Sequence, residues 1–268
     1  MLDNTFQENE LLDAFSWHLL LPIIERPRVL SIAPPDMAHL VTLGRLFGKV
    51  TSLDSGQSPL SVEESVPVAG QERIHKVRGN IFSLPFRNES FDLLVVNGLS
   101  SDQHGGRTVQ RNRRMYQEAL LENLHRILAM NGCICLCTPN RWDYRELLEG
   151  KNSAIQEDRG EASGGRMGNL TSVLRTYRRL SSHLLSPKRY VKILRDAGFS
   201  DVQAYVAFPD CRMPRFVVPF DQGVYRYYRH HFTYPHGEGL RKILGRLIAR
   251  SGIDRFLESH LLITGVKS

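Results

Sequence analysis

Between Phe91 and Asn97 the chain carries four consecutive apolar residues, Leu93, Leu94, Val95 and Val96. Successive side chains of a strand point to opposite faces, so an unbroken apolar run suits a strand covered on both sides. That cover is normally a layer of helices on each face of a mostly parallel sheet. The run therefore excludes an open antiparallel sheet with one wet face and points to an α/β architecture.

The rest of the chain supplies the alternation such a sheet needs. Arg28 to Ala33 reads as a first buried strand, Met37 to Phe47 as a helix capped by Asp36, and Lys49 to Leu53 as a second strand ending at Asp54. His75 to Arg78 reads as a third strand. Residues 109–129 form an amphipathic helix with Met115, Ala119, Leu120, Leu124, Ile127 and Leu128 inward, ended by Asn131-Gly132. Cys133 to Thr138 is a fifth strand. Ser186-Pro187 opens a helix that Gly198 stops, because proline at the first helical position loses no needed hydrogen bond. Val202 to Phe208 and Leu261 to Val266 are the last two strands. The expected fold is a Rossmann-like, doubly wound, mostly parallel sheet with a C-terminal antiparallel strand pair and an insertion before the last strand. The expected organisation is a helical lead-in at 1–27, a main domain at 28–208 and 260–268, and an inserted cap at 209–259.

Composition narrows the function classes. The chain has 268 residues and a formal charge of +7, which favours anionic partners in general. Residues 166–255 hold 17 Lys/Arg against 6 Asp/Glu, including Arg175, Arg178 and Arg179 and the row Arg241, Lys242, Arg246 and Arg250. Interleaved Tyr225, Tyr227, Tyr228, Phe232 and Tyr234 permit base stacking, but a small anionic or sugar-like acceptor ranks ahead of nucleic acid. No segment approaches the roughly 20 apolar residues of a membrane span. The first ten residues carry Asp3, Glu8 and Glu10 and no Lys or Arg, so no secretory signal is expected. Four cysteines make no disulfide framework, and a cytoplasmic setting is the default. Cys133, Cys135 and Cys137 alternate along one strand at about 6.6 Å, too far apart for one tetrahedral metal, and read as packing residues. No metal is expected.

Three stretches together resemble the class I S-adenosylmethionine-dependent methyltransferases of the small-molecule type. They are Gly79-Asn80-Ile81-Phe82-Ser83-Leu84-Pro85-Phe86 followed by Ser90 to Asn97, the helix-to-strand stretch Glu122 to Pro139, and Ala197-Gly198-Phe199 before the closing strand pair. The resemblance implies methyl transfer from S-adenosylmethionine to oxygen or nitrogen of a small molecule, in a setting such as glycan or secondary-metabolite biosynthesis. It also implies that Asp54 holds the ribose hydroxyls, Asn80 the adenine amino group, Ile81 the adenine face, and Asn97 the methionine end. Asp92 begins its strand, away from the ligand edge, and reads as structural.

The first loop departs from the family pattern. The family's glycines align with Ala33, Pro35 and Met37, and its acidic residue with Ser31. Ala33, Pro34 and Asp36 are the residues left to meet the cofactor there, with Asp36 replacing the lost acidic contact. Glycines restored to this loop are expected to cost stability through chain entropy. The alternative is a catalytically inactive methyltransferase-like protein that binds a partner. A nicotinamide oxidoreductase ranks third, because no G-x-G-x-x-G follows the first strand. No catalytic base is assigned. His104, His230, His231 and His236 are candidates whose simpler reading is surface or packing histidine.

Overall fold

The computed structural model describes residues 20–21, 25–33, 37–54, 71–97, 113–139, 185–208, 214, 216–221, 223–225, 227 and 260–268. Pro34, Asp36, the four candidate histidines and both basic clusters lie outside the described residues, as does most of the 1–27 lead-in.

The described elements follow the expected alternation. They are β1 (Val29–Ile32), α1 (Met37–Phe47), β2 (Val50–Asp54), β3 (Ile74–Arg78), β4 (Phe91–Asn97), α2 (Arg113–Ile127), β5 (Leu128–Pro139), α3 (Pro187–Asp196), β6 (Phe199–Phe208), β7 (Phe216–Pro219) and β8 (His260–Lys267). They build one eight-stranded sheet in the order β3-β2-β1-β4-β5-β8-β6-β7. The first five strands pair in parallel. The last strand, β8, lies antiparallel between β5 and β6, the position expected for a closing pair.

Both faces of the sheet are buried, as the apolar run in β4 requires. Leu94 and Val96 join Leu30, Ile32, Ile134 and Leu136 beneath Leu120, Leu121 and Leu124 of α2 and Tyr190 and Leu194 of α3. Leu93 and Val95 join Val29, Val50 and the cysteine row beneath Leu40 and Leu43 of α1. Within α2, Leu120, Leu124 and Ile127 are buried as expected, Leu121 is buried as well, and Ala119 is exposed instead.

Three elements differ from expectation. The helix ends at Ile127, and Leu128 already pairs with Phe91, while Leu93 pairs with Cys133. The four residues 129–132 thus stand opposite the single Asp92, three more than an even register needs, and Asn131 turns through φ 60°. Leu128 continues the helical apolar period, and periodicity alone cannot tell a helix end from a buried strand start. β6 begins at Phe199, with a register shift between Ser200 and Gln203 and Asp201 at φ 47°. Finally, β7 adds an edge strand inside the 209–259 stretch. Its short Phe-Val-Val core sits between Pro214 and Pro219, which hide it in the sequence. An edge strand tolerates proline.

Polar contacts lock the loops around this core. Asp92 accepts hydrogen bonds from Arg28 N (2.8 Å), Nε (2.9 Å) and Nη2 (2.8 Å), closing the edge of the sheet remote from the ligand end. Those bonds hold its carboxyl below the ordinary aspartate range against the opposing effect of burial. Arg126 of α2 donates to Phe86 O (2.9 Å), Asn88 Oδ1 (2.9 Å) and Leu84 O (3.3 Å), and Asn123 Nδ2 donates to Phe82 O (3.2 Å). The Glu122-to-Pro139 stretch therefore carries the clamp for the loop that follows β3.

Replacing Arg126 by Met keeps the stem and removes the clamp. Loss of hydrogen bonds to a charged donor is expected to cost about 1.5–3 kcal/mol. At roughly 2–4 °C per kcal/mol for a domain of this size, a thermal melt reads it directly; an unchanged Tm would mean the clamp contributes nothing. Ala33 carries the opposite expectation. It leaves β1 in the left-handed region, at φ 51°, where glycine is favoured. Relief of about 1–2 kcal/mol of strain exceeds the roughly 0.4–1 kcal/mol of added chain entropy. Ala33→Gly should therefore raise Tm slightly, reversing the sequence expectation at this position. A lower Tm for Ala33→Gly would refute the strain argument.

Candidate cofactor site

Strand order reverses at β1: β2 and β3 run outward on one side, β4 and β5 on the other. Ligands of open α/β sheets sit in the crevice beyond the carboxyl ends of the strands at such a point. Ile32, the last residue of β1, is level with Leu53 on β2 and Val96 on β4. One residue further, Ala33 is flanked by Asp54 and Asn97. The expected ribose and methionine residues are thus brought to one level on either side of the first loop. Asn97 is in turn level with Cys137 on β5.

The faces are set by the period of two. Val50, Ser52 and Asp54 alternate with the other face, as do Leu93, Val95 and Asn97. Val50, Leu93 and Val95 pack on the α1 side. Asp54 and Asn97 therefore belong to the α1 side of the crevice.

Asp54 is half-buried, and its backbone oxygen accepts a bond from Gly79 N at 3.0 Å, which ties the ends of β2 and β3 together. A Cβ at Gly79 would stand 3.2 Å from Leu53 Cδ1, so the crossing needs glycine or a shift of that leucine. Asn80 follows directly and is exposed. Its Oδ1 accepts from Phe82 N at 2.9 Å, and its backbone oxygen from Ser83 N at 3.0 Å. The side-chain amide stabilises its own turn, and the carbonyl oxygen retains a second lone pair for a ligand amino group. Ile81 is 1% exposed and packs within the larger core cluster with Leu53 and Leu84.

Asn97 has the most unusual environment. Both its Oδ1 and its Nδ2 are buried, and among the described residues neither has a hydrogen-bond partner. A buried polar group left unpaired costs about 1–3 kcal/mol, so two on one amide at the ligand edge mark a place where a ligand would complete the bonding. Ser31 and Ser52, paired across β1 and β2, also have buried hydroxyls without partners among the described residues. Ser31 is fully buried where the resemblance implies an acidic residue, so a neutral hydroxyl takes the place of a carboxylate at that point. Ser52 drew no attention in the sequence, although its place two residues before Asp54 on the same face was a readable signal.

The cysteine row lies on this face as well. Cys133 and Cys135 are free and buried. Burial raises the Cys133 thiol to about 11 and pushes Cys135 up further, so neither offers a thiolate near neutral pH. Cys137 is disulfide-bonded, so the row holds two thiols where the sequence reading had three packing cysteines. Among the described residues no three His, Cys, Asp or Glu side chains form a group that could hold a metal, and no helix is long and apolar enough to cross a membrane.

No protein-family model matches the sequence, and no curated protein matches it. Solved structures do match the fold. A SAM-dependent methyltransferase from Thermotoga maritima is 15% identical with a TM-score of 0.51, over 97% of this chain and 89% of the other. A methyltransferase solved in complex with the Haloferax volcanii Trm112 methyltransferase activator is 16% identical with a TM-score of 0.50, over 98% and 92%. The cyclase SpnF is 13% identical with a TM-score of 0.50, over 95% and 80%. With its strand order, its reversal at β1 and its antiparallel C-terminal group, the chain has the fold of the class I S-adenosylmethionine-dependent methyltransferases.

Proposed function

We propose that the protein is an S-adenosylmethionine-dependent methyltransferase acting on oxygen or nitrogen of a small molecule. The observation that carries this reading is the Asn97 amide, without a partner among the described residues and separated from Asp54 only by β1 at the switch point of the sheet. Asp54 takes the two ribose hydroxyls, Asn80 the adenine amino group over the turn that holds Ile81, and Asn97 the methionine end. Its Oδ1 accepts from an ammonium and its Nδ2 donates to a carboxylate. The left-handed turn at Ala33 lets the chain fold back where the family uses glycine, and Pro34 and Asp36, outside the described residues, complete the proposed set of cofactor contacts. When bound, the cofactor supplies a methyl group on a sulfonium. The chain's task is then to hold that methyl in line with the acceptor, and alignment alone can supply much of the rate.

Residues 209–259 serve as the acceptor-facing segment in this reading, with β7 anchoring their first part to the sheet edge. The excess of Lys and Arg over 166–255 suits an anionic or sugar-like acceptor, in glycan or secondary-metabolite chemistry. A second reading, a non-catalytic methyltransferase-like binding protein, draws on one observation: Ser31 is buried where the family's carboxylate would stand.

Calorimetric titration with S-adenosylmethionine and S-adenosylhomocysteine separates the two readings. Micromolar binding is expected, and silence at millimolar ligand removes the enzyme. Asp54→Ala should weaken binding about ten- to a hundredfold, the equivalent of a charge-assisted hydrogen bond of roughly 1.5–3 kcal/mol, with Tm nearly unchanged. Asn97→Leu should move the two observables in opposite directions. Removing an unpaired buried amide raises Tm, while affinity for S-adenosylmethionine falls and affinity for methylthioadenosine, which lacks the amino-acid end, stays the same. Equal losses for both ligands would place Asn97 elsewhere than at the methionine end.

A further inference from the structure

The closing strand β8 runs antiparallel to both its neighbours, so its first residue, His260, stands at the carboxyl edge of the sheet. Register puts His260 level with Pro139 on β5 and with Ala207 on β6. The period of two gives its face. Leu261 and Ile263 pack on the α2 and α3 side, and Leu262 packs with the cysteine row on the α1 side. His260 shares the face of Leu262, which is also the face of Asp54 and Asn97. The residue is half-buried, and its Nδ1 is buried.

Asn97 is level with Cys137, and Cys137 with Leu262. His260 therefore lies two strands across from Asn97 and two residues further out. At about 4.8 Å per strand and about 3.3 Å per residue, their α-carbons are about 12 Å apart. That gap has room for a small molecule between amide and imidazole. His260 also follows directly on 209–259, the segment proposed above to face the acceptor. The other described histidines stand elsewhere: His39 buried in the first turn of α1, His75 on the edge strand β3, and His125 against Phe199 at the end of α2.

We propose that His260 is the general base of the methyl transfer, taking the proton that the acceptor loses; the proposal rests on the methyltransferase reading. The acceptor's oxygen or nitrogen forms a bond to the methyl carbon. The bond from that carbon to sulfur breaks, and its electron pair stays on sulfur. The proton leaves the acceptor atom for the unprotonated ring nitrogen of His260 and passes afterwards to water. A neutral imidazole keeps one nitrogen as an acceptor. Histidine also titrates close enough to neutral pH to take a proton and return it.

The two neighbouring strands leave that titration to His260. On the same face of β5, Cys133 and Cys135 are buried thiols pushed up by burial, and Cys137 is disulfide-bonded. On the same face of β6, burial raises the Tyr205 hydroxyl. All four stay uncharged near neutral pH, so a new charge in the crevice is read by the imidazole against a constant background.

The test uses the full chain and two ligands that differ by one methyl group and one positive charge, S-adenosylmethionine and S-adenosylhomocysteine. Calorimetry reports whether they bind. The C2-proton shift of His260, assigned in isotope-labelled wild type and so needing no variant, reports where. A sulfonium charge close to the ring disfavours the imidazolium. The midpoint of His260 should therefore lie lower in the S-adenosylmethionine complex, by about half a pH unit for one charge at roughly 8 Å in a largely aqueous crevice. His75 and His125 should titrate alike in both complexes. Binding of both ligands with equal His260 midpoints overturns the base and leaves the cofactor reading intact. A ring still protonated at neutral pH in the S-adenosylmethionine complex also overturns it, because a base must arrive unprotonated. Absence of binding at millimolar ligand removes the cofactor reading and the base with it.

Discussion

The structure depends on β1 and β4 lying side by side with both faces covered. Leu30 and Leu94 are fully buried on one face, and Val29 and Val95 nearly so on the other. A strand pair dry on both sides forces helices above and below the sheet, because nothing else covers that much apolar surface while satisfying its own backbone. Helices on both faces mean that the chain leaves β1 in one direction and returns to β4 in the other. The reversal opens a crevice between their carboxyl ends. The candidate site is thus a geometric consequence of burying the two central strands.

Stability and function divide the crevice between them. Among the described residues the floor is apolar except for Ser31, Ser52 and Asn97, whose buried polar atoms have no partners there. Such atoms weaken a protein that has nothing to bind, and they cluster here at the switch point. Ala33 adds backbone strain at the same place. Local cost concentrated where a ligand would sit is the pattern expected of a working site. The likeness to SpnF marks the limit of the fold as an argument: one sheet supports a methyltransferase and a cyclase, so chemistry resides in side chains at the edge.

The C-terminal end of α2 is the second centre of the molecule. Within four residues it presents Asn123 and Arg126 to the loop after β3 and His125 to the turn into β6. Lys267, second from the end of the chain, reaches back to Leu128 and Glu89 just beside it. Loop, helix and closing strand meet there, which links the end of the sequence to the loop beside the cofactor crevice.

The sequence alone determined the succession of strands and helices up to β5 and the antiparallel closing pair, and its family resemblance implied the placing of Asp54 and Asn97 at the ligand edge. These depend on local signals: apolar runs, a proline start, a glycine stop, and the parity of positions along a strand. It misplaced the start of β5, because Leu128 satisfies helix and strand periods equally, and it missed β7, whose prolines suit an edge only once an edge exists. It showed Ala33 only as a departure from a family glycine, whereas the fold bends it into the glycine conformation. Only the tertiary structure decided that, and only it decided that the Asn97 amide has no partner among the described residues. Whether a buried atom finds a partner depends on which segments, distant along the chain, come to lie against it, and no local pattern of residues records that.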